Sequence, residues 1–216
     1  MAHIEYFLKD GTRVPSVTTI IGRFKEADLL IKWAYNRGKN GLELYESRDK
    51  AAELGSIVHE MVEYFIRNED PYVLLDGLNE TDKLQVKSSF NAFREWFVIN
   101  DFQIIVQEKS LVSEKYHFGG TLDAIAIDKM GRTILLDWKT SDGVYRDYLI
   151  QLAAYRLLWN ENFPDNQLTG GNHLCRFAKS YGDFVHHFYP DLKDAEDAFR
   201  LMVRLYYLDK KLKKRC

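Results

Sequence analysis

Two strand-like segments, "HFGGTLDAIAID" and "RTILLDWKTS", flank the turn "DKMGR" and carry Asp123, Asp137 and Lys139 where a core strand prefers Val or Ile. Side chains alternate along a strand, so Asp137 and Lys139 share one face while Trp138 takes the other. In an ordinary hairpin register Asp123 comes within reach of Asp137, and two close carboxylates repel unless a proton or a cation lies between them. Carboxylate oxygens are hard ligands that select Mg²⁺ or Mn²⁺, and Mg²⁺ completes its shell with water and substrate phosphate. Metal-assisted attack on a phosphate ester is the chemistry such a group could do. An Asp-x-Lys triplet alone is equally the mark of a surface ion pair. The apolar "TILL" ahead of Asp137 points instead to an interior strand, and Gly119 and Gly120 leave room for close backbone approach just before Asp123.

Residues 1–48 read as an N-terminal extension. It has a strand-like start, the turn "KDGTRVP" and a helix around "EADLLIKWAYNRGKNG" ending at Gly38 or Gly41. The segment is basic and aromatic. Its Lys32, Trp33, Tyr35, Arg37 and Lys39 could stack on bases and meet phosphates, or an amphipathic helix could simply pack its aromatics on the body. Residues 49–190 read as the core. "DKAAELGSIVHEMVEYFIRNED" repeats Val58, Met61, Val62 and Phe65 at helical spacing with Asp49 as cap. A second helix over 80–100 offers Leu84, Phe90, Phe93, Trp96 and Phe97 as its apolar face. From residue 102 the period becomes that of strands, in "FQIIVQEKSLVS" and the two hairpin segments. Helical spacing returns in "YRDYLIQLAAYRLLWNEN". Two shorter strands follow near 171–178 and 183–189, then a C-terminal helix from about Asp191 with the basic tail "KKLKKRC", residues 191–216. This order implies one α/β domain over 1–216, a mixed central sheet flanked by helices with a helical N-terminal region.

With 30 Lys and Arg against 32 Asp and Glu, the formal net charge is −2, so nucleic-acid binding must rest on local basic patches. Cys175 and Cys216 are too few for a disulfide framework, a four-cysteine zinc site or a self-contained iron–sulfur site, and they suit a reducing, cytoplasmic setting. No apolar run nears the roughly 18 residues of a spanning helix and no signal-peptide core is present, so a soluble, unprocessed chain without a membrane partner is expected. Neither a G-x-x-x-x-G-K-[ST] loop nor a G-x-G-x-x-G fingerprint occurs. A helicase or other motor would therefore act in trans.

Five segments in order, "GSIVHE", "QEKSLV", "GGTLDAIA", "LLDWKTS" and "QLAAY", span about residues 55–155, with "VPSVTTIIG" ahead of them. The series resembles the PD-(D/E)XK nuclease superfamily, in particular its RecB-like branch of phage and mitochondrial-genome-maintenance-type exonucleases. The resemblance implies a restriction-endonuclease-like core and Mg²⁺ or Mn²⁺ as cofactor. It makes Asp123 and Asp137 the central metal ligands, with the Trp138 carbonyl as a third oxygen. Lys139 would polarise the attacking water or stabilise charge on a phosphorane-like transition state. Glu108 matches an additional acidic position that binds metal directly or through water, and His59 matches a helix histidine contributing to the metal site. Gln151 and Tyr155, four apart and hence on one helical face, match a Gln-x-x-x-Tyr motif that helps position substrate.

Outside that pattern His59 reads as a structural histidine, Glu108 as a polar edge residue, and Gln151 and Tyr155 as flanks of a buried stripe. "HEMVE" has Glu63 where H-E-x-x-H needs its second histidine, so a zinc-protease reading lacks a ligand. The function expected is a metal-dependent DNA exonuclease, preferring single-stranded ends, in replication, recombination or repair. A phage-encoded source, acting in the host cytoplasm, is compatible with it. The alternatives are a structure- or site-specific endonuclease on the same core and a catalytically silent nucleic-acid-binding scaffold. Intact Asp123, Asp137 and Lys139 disfavour the scaffold.

Overall fold

Alternating and continuous apolar runs between residues 103 and 189 assemble into a five-stranded sheet in the computed structural model, which describes residues 4–25, 35–36, 38–39, 44–141, 143–177 and 184–215. The strands are β3 (Gln103–Ser113), β4 (Phe118–Ile127), β5 (Thr133–Thr140), β6 (Asn172–Phe177) and β7 (Phe184–Tyr189), in that spatial order, after a small hairpin of β1 (Tyr6–Phe7) and β2 (Arg13–Val14). Neighbours are antiparallel except β5 and β6, which are parallel. A parallel pair needs a crossover, and the helix Arg146–Asn162 supplies it. The sheet is thus mixed, and β5 lies at its centre.

The helices with described bounds are α1 (Val17–Arg23), α2 (Leu44–Ile66), α3 (Glu80–Asn100), α4 (Arg146–Asn162) and α5 (Lys193–Lys213), with a 3₁₀ turn at Pro71–Leu75. The Ser16 hydroxyl caps α1 by accepting from the Thr19 amide, and the Asn79 side chain caps α3 through the Asp82 amide. One sheet face packs Phe118, Leu122, Leu135 and Leu174 against Leu152, Tyr155 and Leu158 of α4 and Phe199 of α5. The other packs Leu136, Trp138 and Phe177 against Val58 and Met61 of α2 and Phe90 and Phe93 of α3. Leu135 and Leu136 enter opposite layers, as period two requires. The Phe93 ring meets Trp138 edge-on, 5.1 Å between centroids.

Two helical expectations need correction. α2 begins at Leu44, so Asp49 lies inside it rather than capping it; no Gly or Pro separates the two positions to stop the helix. Leu84 is 71% exposed. Six residues before Phe90 is one and two-thirds turns, which carries Leu84 off the buried stripe. The helix expected around "EADLLIKWAYNRGKNG" falls largely outside the described residues. Among the described helices none is long and apolar enough to cross a membrane.

The N-terminal hairpin is seated on β4 at Gly119. That amide donates to the Pro15 carbonyl at 3.0 Å, and a Cβ built at Gly119 would lie 2.3 Å from the Tyr6 ring. Overpacking against a ring costs about 1 to 3 kcal/mol. Gly119→Ala is expected to lower stability by that amount in urea denaturation. Gly22→Ala, in α1 with open space around it, is expected to be neutral or slightly stabilising.

Candidate active site

The site starts from β5. Asp137 and Lys139 stand on the same side of that strand, and Lys139 Nζ lies 2.6 Å from Asp137 Oδ2. Asp137 has no solvent exposure, and its Oδ1 has no hydrogen-bond partner. Across the hairpin Ala124 pairs with Leu136, which sets Asp123 opposite Asp137. Asp123 Oδ2 accepts a 2.7 Å hydrogen bond from the Trp138 amide, so one carboxylate is fastened to the backbone beside the other. On the next strand Gln107 pairs with Ala124 and Lys109 with Leu122, leaving Glu108 facing Asp123 across the gap. Glu108 adopts φ 47°, a left-handed conformation that a non-glycine residue holds only under constraint. At the same level Leu122 and Ala124 join opposite core layers. Strict alternation therefore breaks at Asp123, and the distortion aims Glu108 and Asp123 into one cleft.

That cleft, about 390 Å³, is lined by His59, Glu108, Asp123 and Tyr155 of the core together with Tyr6, Ser16, Thr18 and Thr19 of the N-terminal segment. α2 reaches it because Gly55 packs against Thr140, where a Cβ would come within 3.0 Å of the threonine side chain. One turn later His59 Nε2 lies 3.0 Å from the Trp138 carbonyl oxygen. Burial, then the Lys139 ammonium, push His59 down to about 4. The ring is thus neutral and carries its proton on Nε2, facing an oxygen that can only accept. α4 contributes Tyr155, whose ring fits against Gly120, and Gln151, whose Nε2 donates to Tyr155 Oη at 2.6 Å. The glycine pair makes room for the Tyr6 and Tyr155 rings, and at Gly119 also for the backbone of Pro15 and Ser16, the close approach expected there.

Charge dominates the site. Burial raises Asp137 to about 6, with Lys139 pulling down and Asp123 pushing up. Burial likewise raises Asp123, more than Lys139 and the Trp138 amide hold it down. Glu108 is exposed as a residue, but partial burial of its carboxyl and the nearby Asp123, Glu63 and Asp137 push it up to about 8. Burial opposes the Lys139 ammonium, yet Asp137 and Asp123 outweigh it and hold Lys139 above its ordinary range. Burial first, then the two aspartates, keep the Tyr155 phenol protonated well above its usual range. Among the described residues no three His, Cys, Asp or Glu side chains are gathered as a ready-made metal cage. His59 is turned to a carbonyl, and Lys139 occupies one side of Asp137. The donor set nevertheless fits a hard divalent cation: an unpartnered buried oxygen of Asp137, the Asp123 carboxylate, Glu108 and the Trp138 carbonyl, with excess negative charge among them.

Of the residues singled out from sequence, His59, Glu108, Asp123, Asp137, Lys139, Gln151 and Tyr155 come together here. Lys32, Trp33 and Arg37 lie outside the described residues; Tyr35 and Lys39 are exposed. Sequence reasoning passed over Tyr6, which shares a 2.9 Å hydrogen bond with Thr121, and the hydroxyls of Ser16, Thr18 and Thr19. It took Glu63 only as the residue in place of a second histidine in H-E-x-x-H, whereas Glu63, held by Arg67 at 3.2 Å, contributes to the acidic field. "VPSVTTIIG" and the four-residue spacing from His59 to Glu63 were the signals available.

The sequence matches the family described as the PD-(D/E)XK nuclease superfamily over residues 31–212. No curated protein matches it significantly. Among solved structures, a candidate exonuclease from Eubacterium rectale is similar over 68% of this chain and 64% of that one, at 13% identity and a TM-score of 0.48. A repair endonuclease from Pyrococcus abyssi is similar over 49% and 40%, at 18% identity and a TM-score of 0.25. The chain thus spans less than two thirds of the length of either.

In metal-free protein, Asp137 and Glu108 bind protons more tightly folded than unfolded. The stability they contribute is full below ordinary carboxylate values and is lost as pH rises through about 6 for Asp137 and about 8 for Glu108. In EDTA the urea midpoint is expected to fall between pH 5 and pH 8.5, and Glu108→Gln to flatten the upper part of that fall. A midpoint that rises across the window would contradict the charge balance described.

Proposed function

The chain belongs to the PD-(D/E)XK nuclease superfamily, and from that premise we propose a divalent-metal-dependent exonuclease that engages free ends of single-stranded DNA. Membership makes it a phosphodiester hydrolase. The observation that carries the metal-dependent reading is Asp137, a fully buried carboxylate with an unpartnered oxygen, beside Lys139 and opposite Asp123.

In this reading Asp123, Asp137, Glu108 and the Trp138 carbonyl hold Mg²⁺ or Mn²⁺. Such a cation, when bound, acidifies a water and draws charge from the scissile phosphate. Lys139 remains cationic beside the site and stabilises negative charge as it builds on the phosphate oxygens, a task suited to a compact ammonium already fixed in place. Its Nζ also stands 5.6 Å from the centre of the Tyr148 ring, which helps hold it. His59 keeps the Trp138 carbonyl oriented. Gln151 orients the Tyr155 phenol, which stays a hydrogen-bond donor to the substrate.

Single-strand and end preference rest on the N-terminal part of the cleft's lining. The N-terminal hairpin and α1 already bound it with the hydroxyls of Ser16, Thr18 and Thr19, donors suited to a phosphate backbone. Lys32, Trp33, Tyr35, Arg37 and Lys39 follow in sequence with the stacking faces and cations that track one strand without reading bases. A cleft bounded by the N-terminal segment as well as by the core favours threading from an end. Replication, recombination or repair is the setting that substrate implies, in the cytoplasm, with any helicase supplied by another chain.

Asp137→Ala and Lys139→Ala are each expected to lower cleavage of end-labelled single-stranded DNA by at least about 10² to 10³ with the circular dichroism spectrum retained. EDTA is expected to stop the wild type. Covalently closed circular single-stranded DNA, assayed at low salt because phosphate contacts weaken as salt rises, is expected to resist. Equal degradation of circle and line would replace the exonuclease with an endonuclease on the same metal site, and near wild-type rates in either variant would remove the site itself.

A further inference from the structure

α5 buries Phe199 and Val203 against the sheet layer and turns its opposite face to solvent. On that face Leu201, Leu205, Leu208 and Leu212 are between 46% and 66% exposed. Their spacing of four, three and four residues draws one straight apolar stripe along the helix, the pattern of a seam between two helices. No leucine of the stripe lines the candidate active site.

The charges along α5 say what covers the stripe. Its first turn is acidic, with Asp194 and Glu196, followed by Asp197; its last turn is basic, with Lys210, Lys211 and Lys213, followed by Lys214 and Arg215. Laid antiparallel on a second copy of itself about a two-fold axis near Leu205, the helix sets Leu201 opposite Leu208, Asp194 opposite Arg215, and Asp197 beside Lys211. A parallel pair would instead bring the basic ends together. One like-charged contact is left, Arg204 near its own symmetry mate, and its long side chain can reach outward to water.

We propose that α5 pairs antiparallel with α5 of a second copy of this chain, forming a two-fold dimer around the leucine stripe that leaves both clefts open. One pair of 21-residue helices buries roughly 1,000 Å², near the lower limit of stable interfaces, so the dimer is weak and concentration-dependent. The same face on both copies makes the contact isologous and closed.

Sedimentation velocity of the full chain between about 1 and 100 µM is expected to show a monomer–dimer equilibrium, and the double variant Leu205→Glu, Leu208→Glu to be monomeric throughout. Both positions are exposed, so the variant is expected to keep the wild-type circular dichroism spectrum and thermal midpoint. Orientation is read by mild oxidation in a Cys216→Ser background, where Leu201→Cys and Leu208→Cys chains are expected to cross-link when mixed and not when separate. A monomer at 100 µM, a dimer unaffected by the double variant, or cross-linking of each cysteine chain with itself would overturn the proposal.

Discussion

Asp137 is a carboxylate with no solvent exposure on the middle strand of a sheet, and that burial constrains everything near it. An isolated buried carboxylate is among the costliest groups a protein can hold. Lys139 supplies one counter-charge at 2.6 Å, but Asp123 stands opposite and Glu108 faces Asp123 in turn, so one ammonium serves several acids. Deleting either member of such a pair leaves the other uncompensated. Burial first, and then the imbalance, raise the aspartates, and the two aspartates keep the lysine cationic in a buried place. A second positive charge is what the arrangement calls for, and in the function proposed a divalent cation would supply it.

The fold meets this cost by making the strand unable to move. Trp138, between the two charged residues, points into the opposite layer and packs edge-on against Phe93, so the polar face of β5 cannot rotate away without opening an aromatic core. Its amide is tied to Asp123 and its carbonyl to His59. Glycines let the flanking elements close in: Gly55 brings α2 down to Thr140, and Gly119 and Gly120 admit the rings of Tyr6 and Tyr155. The local distortion at Glu108 and Asp123 is the remaining concession, a left-handed backbone held in place because both neighbouring layers fix the strands around it.

Much of this is legible in the residues themselves. Period-two alternation suffices to put Asp137 and Lys139 on one face with Trp138 on the other, because that rule is local to one strand. A tight turn such as "DKMGR" likewise brings Asp123 to Asp137, and a four-residue helical step brings Gln151 to Tyr155. What local rules cannot carry are contacts between segments far apart in the chain. Nothing near Tyr6 announces Thr121, 115 residues away, and Glu63 reads as one more acid on a charged helix until the sheet places Glu108 and Asp123 beside it. Helix limits fail for a related reason: Asp49 has the chemistry of a cap, but a helix continues through a cap residue when nothing ahead of it breaks the chain. Leu84 shows the converse, an apolar residue assigned to the core by type and sent to the surface by angle.

The central claim is that the buried acids of β4 and β5 are built to hold a divalent cation. Mn²⁺ binding followed by electron paramagnetic resonance near pH 8, without DNA, tests it independently of catalysis. The wild type is expected to bind, Asp137→Asn and Asp123→Asn each to bind at least about tenfold more weakly because each removes a charged ligand, and Asp165→Asn, at an exposed loop position, to match the wild type. Equal Mn²⁺ affinity in all four proteins would contradict the account and leave the charges on β5 as a structural ion pair.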